Sequence, residues 1–197
     1  MVKTYPAPAV RRREILRYAG VHGDAPELDV LISQCLEEIG DKLSYRVCRR
    51  EFSVTRTEDG LDLGFAVTAS KDLARTLEGC DRIVLFAATV GVEIDRRIAR
   101  YAVTSPTKAL LMQAIGAERV ESLCDAFCRE LAATGVQTRP RFSPGYGDLA
   151  PEMQKDIFAA LDCPRRIGLT LNQSLLMSPT KSVTAIVGIQ SCGHGKL

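Results

Sequence analysis

R-P-R-F-S-P-G-Y-G, residues 139–147, separates the longest helical run of the chain from its last helix and strands. Pro144 sets one turn dihedral, and Gly145 permits a backbone geometry, or a close ligand approach, that a larger residue resists. Arg141 has the forked guanidinium that grips a carboxylate or phosphate, and Tyr146 can pack and hydrogen-bond at once. Asp148 follows directly, so cation, ring and anion sit close together, an arrangement suited to a zwitterionic ligand. The plain alternative is a surface turn with solvated arginines.

Upstream of this loop, Pro106 can occupy a first helical turn, and apolar residues dominate one broad face as far as Ala133; the pattern predicts the longest helix of the molecule. Residues 91–101 read as a helix fed by a buried strand over 82–88. Ser70 is placed to cap a helix running to Leu77. Alternation over 45–55, a turn near Glu58-Asp59-Gly60 and a second run over 61–67 predict a hairpin. Residues 10–19 form a short basic helix, and a second helix starts near Asp24 and Pro26. Its stripe runs through Leu28, Leu31, Ile32, Cys35, Ile39 and Leu43. Downstream, 151–161 reads as a helix, and 166–171 and 183–189 as strands. Together these elements describe one α+β, or mixed α/β, domain whose strand order the sequence does not fix.

The chain has 197 residues, enough for one sizeable core, and 26 basic against 24 acidic side chains leave a net charge of +2. That balance supports neither nucleic-acid nor membrane binding as a main role. The basic clusters at 11–13 and 46–50 read as solvated faces. No apolar run reaches the length of a spanning helix, and the start lacks a signal-peptide core, so the expected location is cytoplasmic. Seven cysteines without a C-x-x-C pattern indicate neither a disulfide framework nor an ordinary zinc site. Cys124 and Cys128 share a helical face among Leu123, Phe127 and Leu131 and read as core thiols, with no metal ligand expected. His22 reads as exposed. Cys192 and His194 stand on a glycine-rich tail and do not make a site on their own.

R-F-S-P-G-Y-G-D, followed by L-T-L-N-Q-S-L-L-M-S-P-T-K-S-V at 169–183 and preceded by A-T-V-G-V-E-I-D at 88–95, resembles the activation domain of cobalamin-dependent methionine synthase. The likeness is closest to the free-standing form. It divides the chain into a helical N-terminal segment (1–44), the activation-like domain (45–190) and a flexible tail (191–197). The resemblance implies a single domain with a curved mixed or largely antiparallel sheet flanked by helices. It also implies that Arg141, Gly145 and Tyr146 hold S-adenosylmethionine, with Ser143 and Pro144 completing the loop. Glu121 or Asp125, on the long helix, would supply the opposing carboxylate; Asp148 is a third candidate by proximity. Fused methionine synthases continue past the second motif, so the pocket here is expected to be more open, or completed by a second chain.

The function implied is that of an accessory subunit, inactive alone. It would support reductive methylation of cob(II)alamin on a corrinoid-dependent methionine synthase or related methyltransferase. Cobalamin would come from that partner, and the electron from a flavodoxin-like or ferredoxin-like donor. The chain's own residues offer no glycine-rich Rossmann fingerprint and no persuasive hydrolase triad. A non-enzymatic scaffold or regulatory partner of a corrinoid protein is the competing reading.

Overall fold

A computed structural model describes residues 1–190. Its centre is strand β6 (Arg82–Thr89), whose run of Ile83, Val84, Leu85, Phe86, Ala87 and Ala88 is buried on both faces. Strand β2 (Arg46–Ser53) pairs with it on one side and β10 (Ser182–Gln190) on the other; β1 (Val2–Thr4) and β7 (Gln137–Thr138) form the edges. Every pairing in this five-stranded sheet is antiparallel. The molecule is a mixed α/β fold with a mostly antiparallel sheet flanked by helices.

Strand periodicity sends alternate side chains into two separate cores. Val84, Phe86, Ala185 and Val187 face helices α1 (Arg12–Tyr18), α2 (Asp29–Ile39), α4 (Glu93–Thr104) and α5 (Pro106–Ala133). Phe86 meets Phe127 of α5 with ring centroids 4.6 Å apart. Ile83, Leu85, Ala87 and Ile186 face the opposite layer of α3 (Lys71–Thr76), α6 (Met153–Leu161) and α7 (Cys163–Ile167). A small sheet of β3 (Thr55–Thr57), β4 (Gly60–Asp62) and β5 (Val67–Thr68) closes that side. Helix α5 crosses α4 so closely that a Cβ on Gly116 would stand 2.7 Å from Ile94 Cγ2 and 2.8 Å from Lys181 Cγ.

Three expectations need correction. The strand read over 166–171 starts inside helix α7, because Pro164 seeds a helical turn that runs to Ile167 and Gly168, at φ +68°, closes it; only β8 (Thr170–Leu171) is extended, paired with β9 (Met177–Ser178). The run over 61–67 is broken where Asp62 Oδ1 accepts a bond from Gly64 N at 2.8 Å, leaving β4 and β5 as separate strands. Residues 1–44, expected to be helical, also supply the edge strand β1, and Ile15, Leu16 and Ile32 bury into the same core as the sheet. The expected tail, with Cys192 and His194, lies outside the described residues. No helix among the described residues is long and apolar enough to cross a membrane.

Candidate functional site

Residues 118–125 of α5 carry the site's acids. Glu118, Glu121, Ser122 and Asp125 recur at three- and four-residue spacing and so share one helical face. After α5 ends, the chain runs back along β10: Arg139 N bonds Gly188 O at 2.9 Å, and Phe142 exchanges backbone bonds with Ile186 at 2.9 and 2.8 Å. This pairing aims Arg141 at the helix. Its Nη2 lies 3.0 Å from Glu121 Oε2 and 3.0 Å from Asp125 Oδ1. Three residues singled out from the sequence therefore meet in space.

Burial opposes the charge on Arg141, but the charges of neighbouring groups, Cys124 foremost and then Glu121, Cys128 and Asp125, outweigh it and raise the Arg141 pKa. Burial also pushes the Cys124 thiol far upward, so near neutral pH it is uncharged and the two carboxylates hold the guanidinium. Burial raises Cys128 as well.

A cleft of ≈ 550 Å³ opens beside this cluster. Glu121 of α5, the loop residues Arg141, Phe142, Ser143, Pro144 and Tyr146, and Met177, Ser182 and Val183 line it. The two separated sequence motifs thus both contribute to one cavity. Tyr146 is 68 % exposed and lies at the rim with its ring available. Gly145 and Asp125 do not line the cleft: Asp125 stands behind Arg141, and Gly145 shapes the loop. At φ +88°, Gly145 donates its N–H to Leu149 O at 2.8 Å, while Tyr146 N bonds Ser143 O at 3.1 Å. A Cβ on Gly145 would meet nothing within 4 Å, so the backbone conformation, not crowding, asks for glycine.

Asp148 faces away from the cleft. Its carboxylate accepts from Lys71 N at 2.8 Å, Asp72 N at 3.2 Å and the Ser70 hydroxyl, fastening the loop to the start of α3. The Ser70 bond and then the Lys71 backbone bond lower its pKa, outweighing desolvation, and the Asp72 backbone bond adds to them. Gly91 turns β6 toward α4, with its N–H on Thr89 Oγ1 at 3.1 Å.

Sequence reasoning missed several participants. Gln154 and Thr184 also line the cleft; Thr184 shares a strand face with Ser182 and Ile186, a period-two signal present in the sequence. Within the basic cluster at 11–13, read as solvated, Arg11 and Arg12 are paired. Arg11 Nη1 reaches Asp125 Oδ2 at 2.8 Å, and Arg12 Nη1 reaches Asp24 Oδ1 at 2.7 Å. Behind them, Glu118 accepts from Ser122 Oγ at 2.6 Å and Arg119 Nε at 2.6 Å, and Arg119 in turn ties down Pro8 O and Ala9 O at 2.7 and 2.9 Å. Among the described residues no cluster of three or more His, Cys, Asp or Glu is arranged to hold a metal ion.

No family model matches the sequence, and no curated protein matches it. Among solved structures, the chain is similar to the MetH reactivation domain crystallised with AdoHcy. The TM-score is 0.63 at 16 % identity, over 100 % of this chain and 80 % of that one. That likeness establishes the fold.

Proposed function

We propose that this protein binds S-adenosylmethionine in the cleft between the two motifs and serves as a reactivation module for a corrinoid-dependent methionine synthase or a related methyltransferase. The observation that carries the reading is the opposed charge at the cleft end: Arg141 held by Glu121 and Asp125, beside a cavity of ≈ 550 Å³. An α-amino-acid head needs a cation for its carboxylate and an anion for its ammonium, and this cluster offers both within one hydrogen-bond length. The volume falls within the range of ordinary small-ligand clefts. The MetH reactivation domain, similar in fold, was crystallised with AdoHcy, the demethylated form of the same ligand.

The chain's residues bind and orient the ligand. Arg141 meets the two carboxylates through Nη2. When the ligand enters, its carboxylate takes up the guanidinium fork and its ammonium turns to Glu121, while Asp125, anchored by Arg11, keeps Arg141 in place. Tyr146 and Met177 cover the nucleoside and limit water at the sulfonium. A corrinoid carried by the partner would supply a cobalt centre able to accept the methyl group once reduced by one electron from a flavodoxin-like or ferredoxin-like donor, leaving S-adenosylhomocysteine held at Arg141 and Glu121. No side chain of this protein acts as a nucleophile, and alone it turns nothing over.

The assay is to follow the cob(II)alamin absorbance of a purified partner. Loss of that absorbance should require this protein, S-adenosylmethionine and the electron donor together. An equal change without this protein, across partner and donor concentrations, would end the reactivation reading and favour a scaffold.

A further inference from the structure

The lining of the cleft includes a polar pair with no role so far. Gln154, on the first turn of α6, lines the cavity, and its Oε1 accepts a hydrogen bond from Thr184 Oγ1 at 2.8 Å. Thr184 is buried in β10, and its hydroxyl has no other hydrogen-bond partner among the described residues. Turning the Gln154 amide over would make that hydroxyl an acceptor and leave its proton unpaired in a buried strand, which is unfavourable. The amide is therefore held in one orientation: Oε1 beside Thr184 with a lone pair to spare, and Nε2 without a protein partner. A side-chain amide in this state presents one acceptor next to one donor. Adenine presents the complement, an N6 amino group beside a ring nitrogen that accepts. Phe142, Pro144, Met177 and Val183 supply the apolar surface a purine needs on its faces.

Arg141, paired with Glu121 of α5, and Gln154 of α6, bonded to Thr184, line the same cleft from the two helical layers of the fold, so an amino-acid head at Arg141 and a base at Gln154 can belong to one bound molecule.

We propose that Gln154, oriented by Thr184, reads the base of the bound nucleoside and makes the cleft selective for adenine over 6-oxopurines. The inference rests on the S-adenosylmethionine reading of the same cleft. Hypoxanthine carries an acceptor at O6 where adenine has its amino group, and N1–H where adenine has a lone pair. A fixed amide then loses the bond at position 6 whichever edge it reads, and both bonds turn repulsive where it reads the N6/N1 edge. Gln154 touches the ligand; Thr184 is a positioning residue, acting by denying the amide its other orientation.

The test is calorimetric titration of the whole protein with S-adenosylhomocysteine and S-inosylhomocysteine, which differ only at the 6-position of the purine and the adjoining ring proton. The wild type should prefer the adenosyl compound by about tenfold or more. Gln154→Leu should bind the two alike. Thr184→Val, close to isosteric and still folded by circular dichroism, should keep its affinity for the adenosyl compound while the preference narrows, which a merely structural role would not produce. Equal wild-type affinities, or a preference that survives in Gln154→Leu, would overturn the assignment of Gln154. An undiminished preference in Thr184→Val would overturn the orienting role. If the wild type bound neither compound, the S-adenosylmethionine reading itself would fall, and this inference with it.

Discussion

Two charged clusters share one face of α5, a turn apart, and their chemistry differs less than their surroundings. Glu118 and Arg119 are 0 % and 3 % exposed, with bonds to Ser122, to Arg11 and to the carbonyls of Pro8 and Ala9. Glu121, Asp125 and Arg141 keep side-chain exposures of 33 %, 32 % and 26 % and adjoin a cleft. The first cluster is saturated by protein groups and fastens the N-terminal segment across the helix. The second holds its charges in place but leaves them within reach of a ligand. Acids and arginines at helical spacing differ here in whether the protein itself uses up their hydrogen bonds.

The sharpest way to break this contrast is to cut the buried cluster. Glu118→Ala strands Arg119 inside the protein without its carboxylate, and removing one partner of a buried pair costs roughly 3–5 kcal/mol. Urea denaturation should show that loss, with any fall in ligand binding following the unfolded fraction. A change under 1 kcal/mol would mean that the cluster does not hold the fold. Gly116→Ala probes the same helix without charge: its Cβ would press on Ile94 and Lys181, an overpacking worth about 1–3 kcal/mol. Thermal unfolding reads it, and an unchanged midpoint would show that α4 and α5 have slack at their crossing.

The smallest effect belongs to Asp148, on the outer side of the loop. Its folded pKa lies below the ordinary 3.8, through the Ser70 bond first and then the backbone bonds of α3. A depressed carboxyl pKa gives stability that is complete above the unfolded value and fades as pH falls through the folded one. Asp148→Asn should therefore lose a little stability at neutral pH and show a shallower decline below about pH 4 than the wild type. Melting curves over that range check it; parallel declines would remove Asp148 from the account.

Much of this was legible in the sequence because local signals and burial agreed. The β6 run, the Ser70 cap and Pro106 at the head of α5 are elements whose residues have one good use. The site was legible in part. Arg141 and Tyr146 stood out by type and spacing, while Glu121 and Asp125 came only with the family resemblance. Gln154 and Thr184 did not, since an amide on a short helix and a threonine on a strand carry no signal until the chain brings them together across 30 positions. Asp148 misled for the converse reason: adjacency in sequence placed it near the loop, yet the turn through Gly147 points its carboxylate at α3. Arg11 looked like a solvated cation because its partners lie more than a hundred residues away.

The account turns on whether Arg141 is held ready for a ligand or merely paired. Calorimetric titration of S-adenosylmethionine into the wild type and Arg141→Ala decides this most directly. The variant should fold with a stability change within about 1 kcal/mol, since its ion pairs are partly exposed. It should lose roughly 2 kcal/mol or more of binding free energy, about thirtyfold in affinity, as a charged contact to the carboxylate disappears. Equal affinities for the two proteins would contradict the central claim.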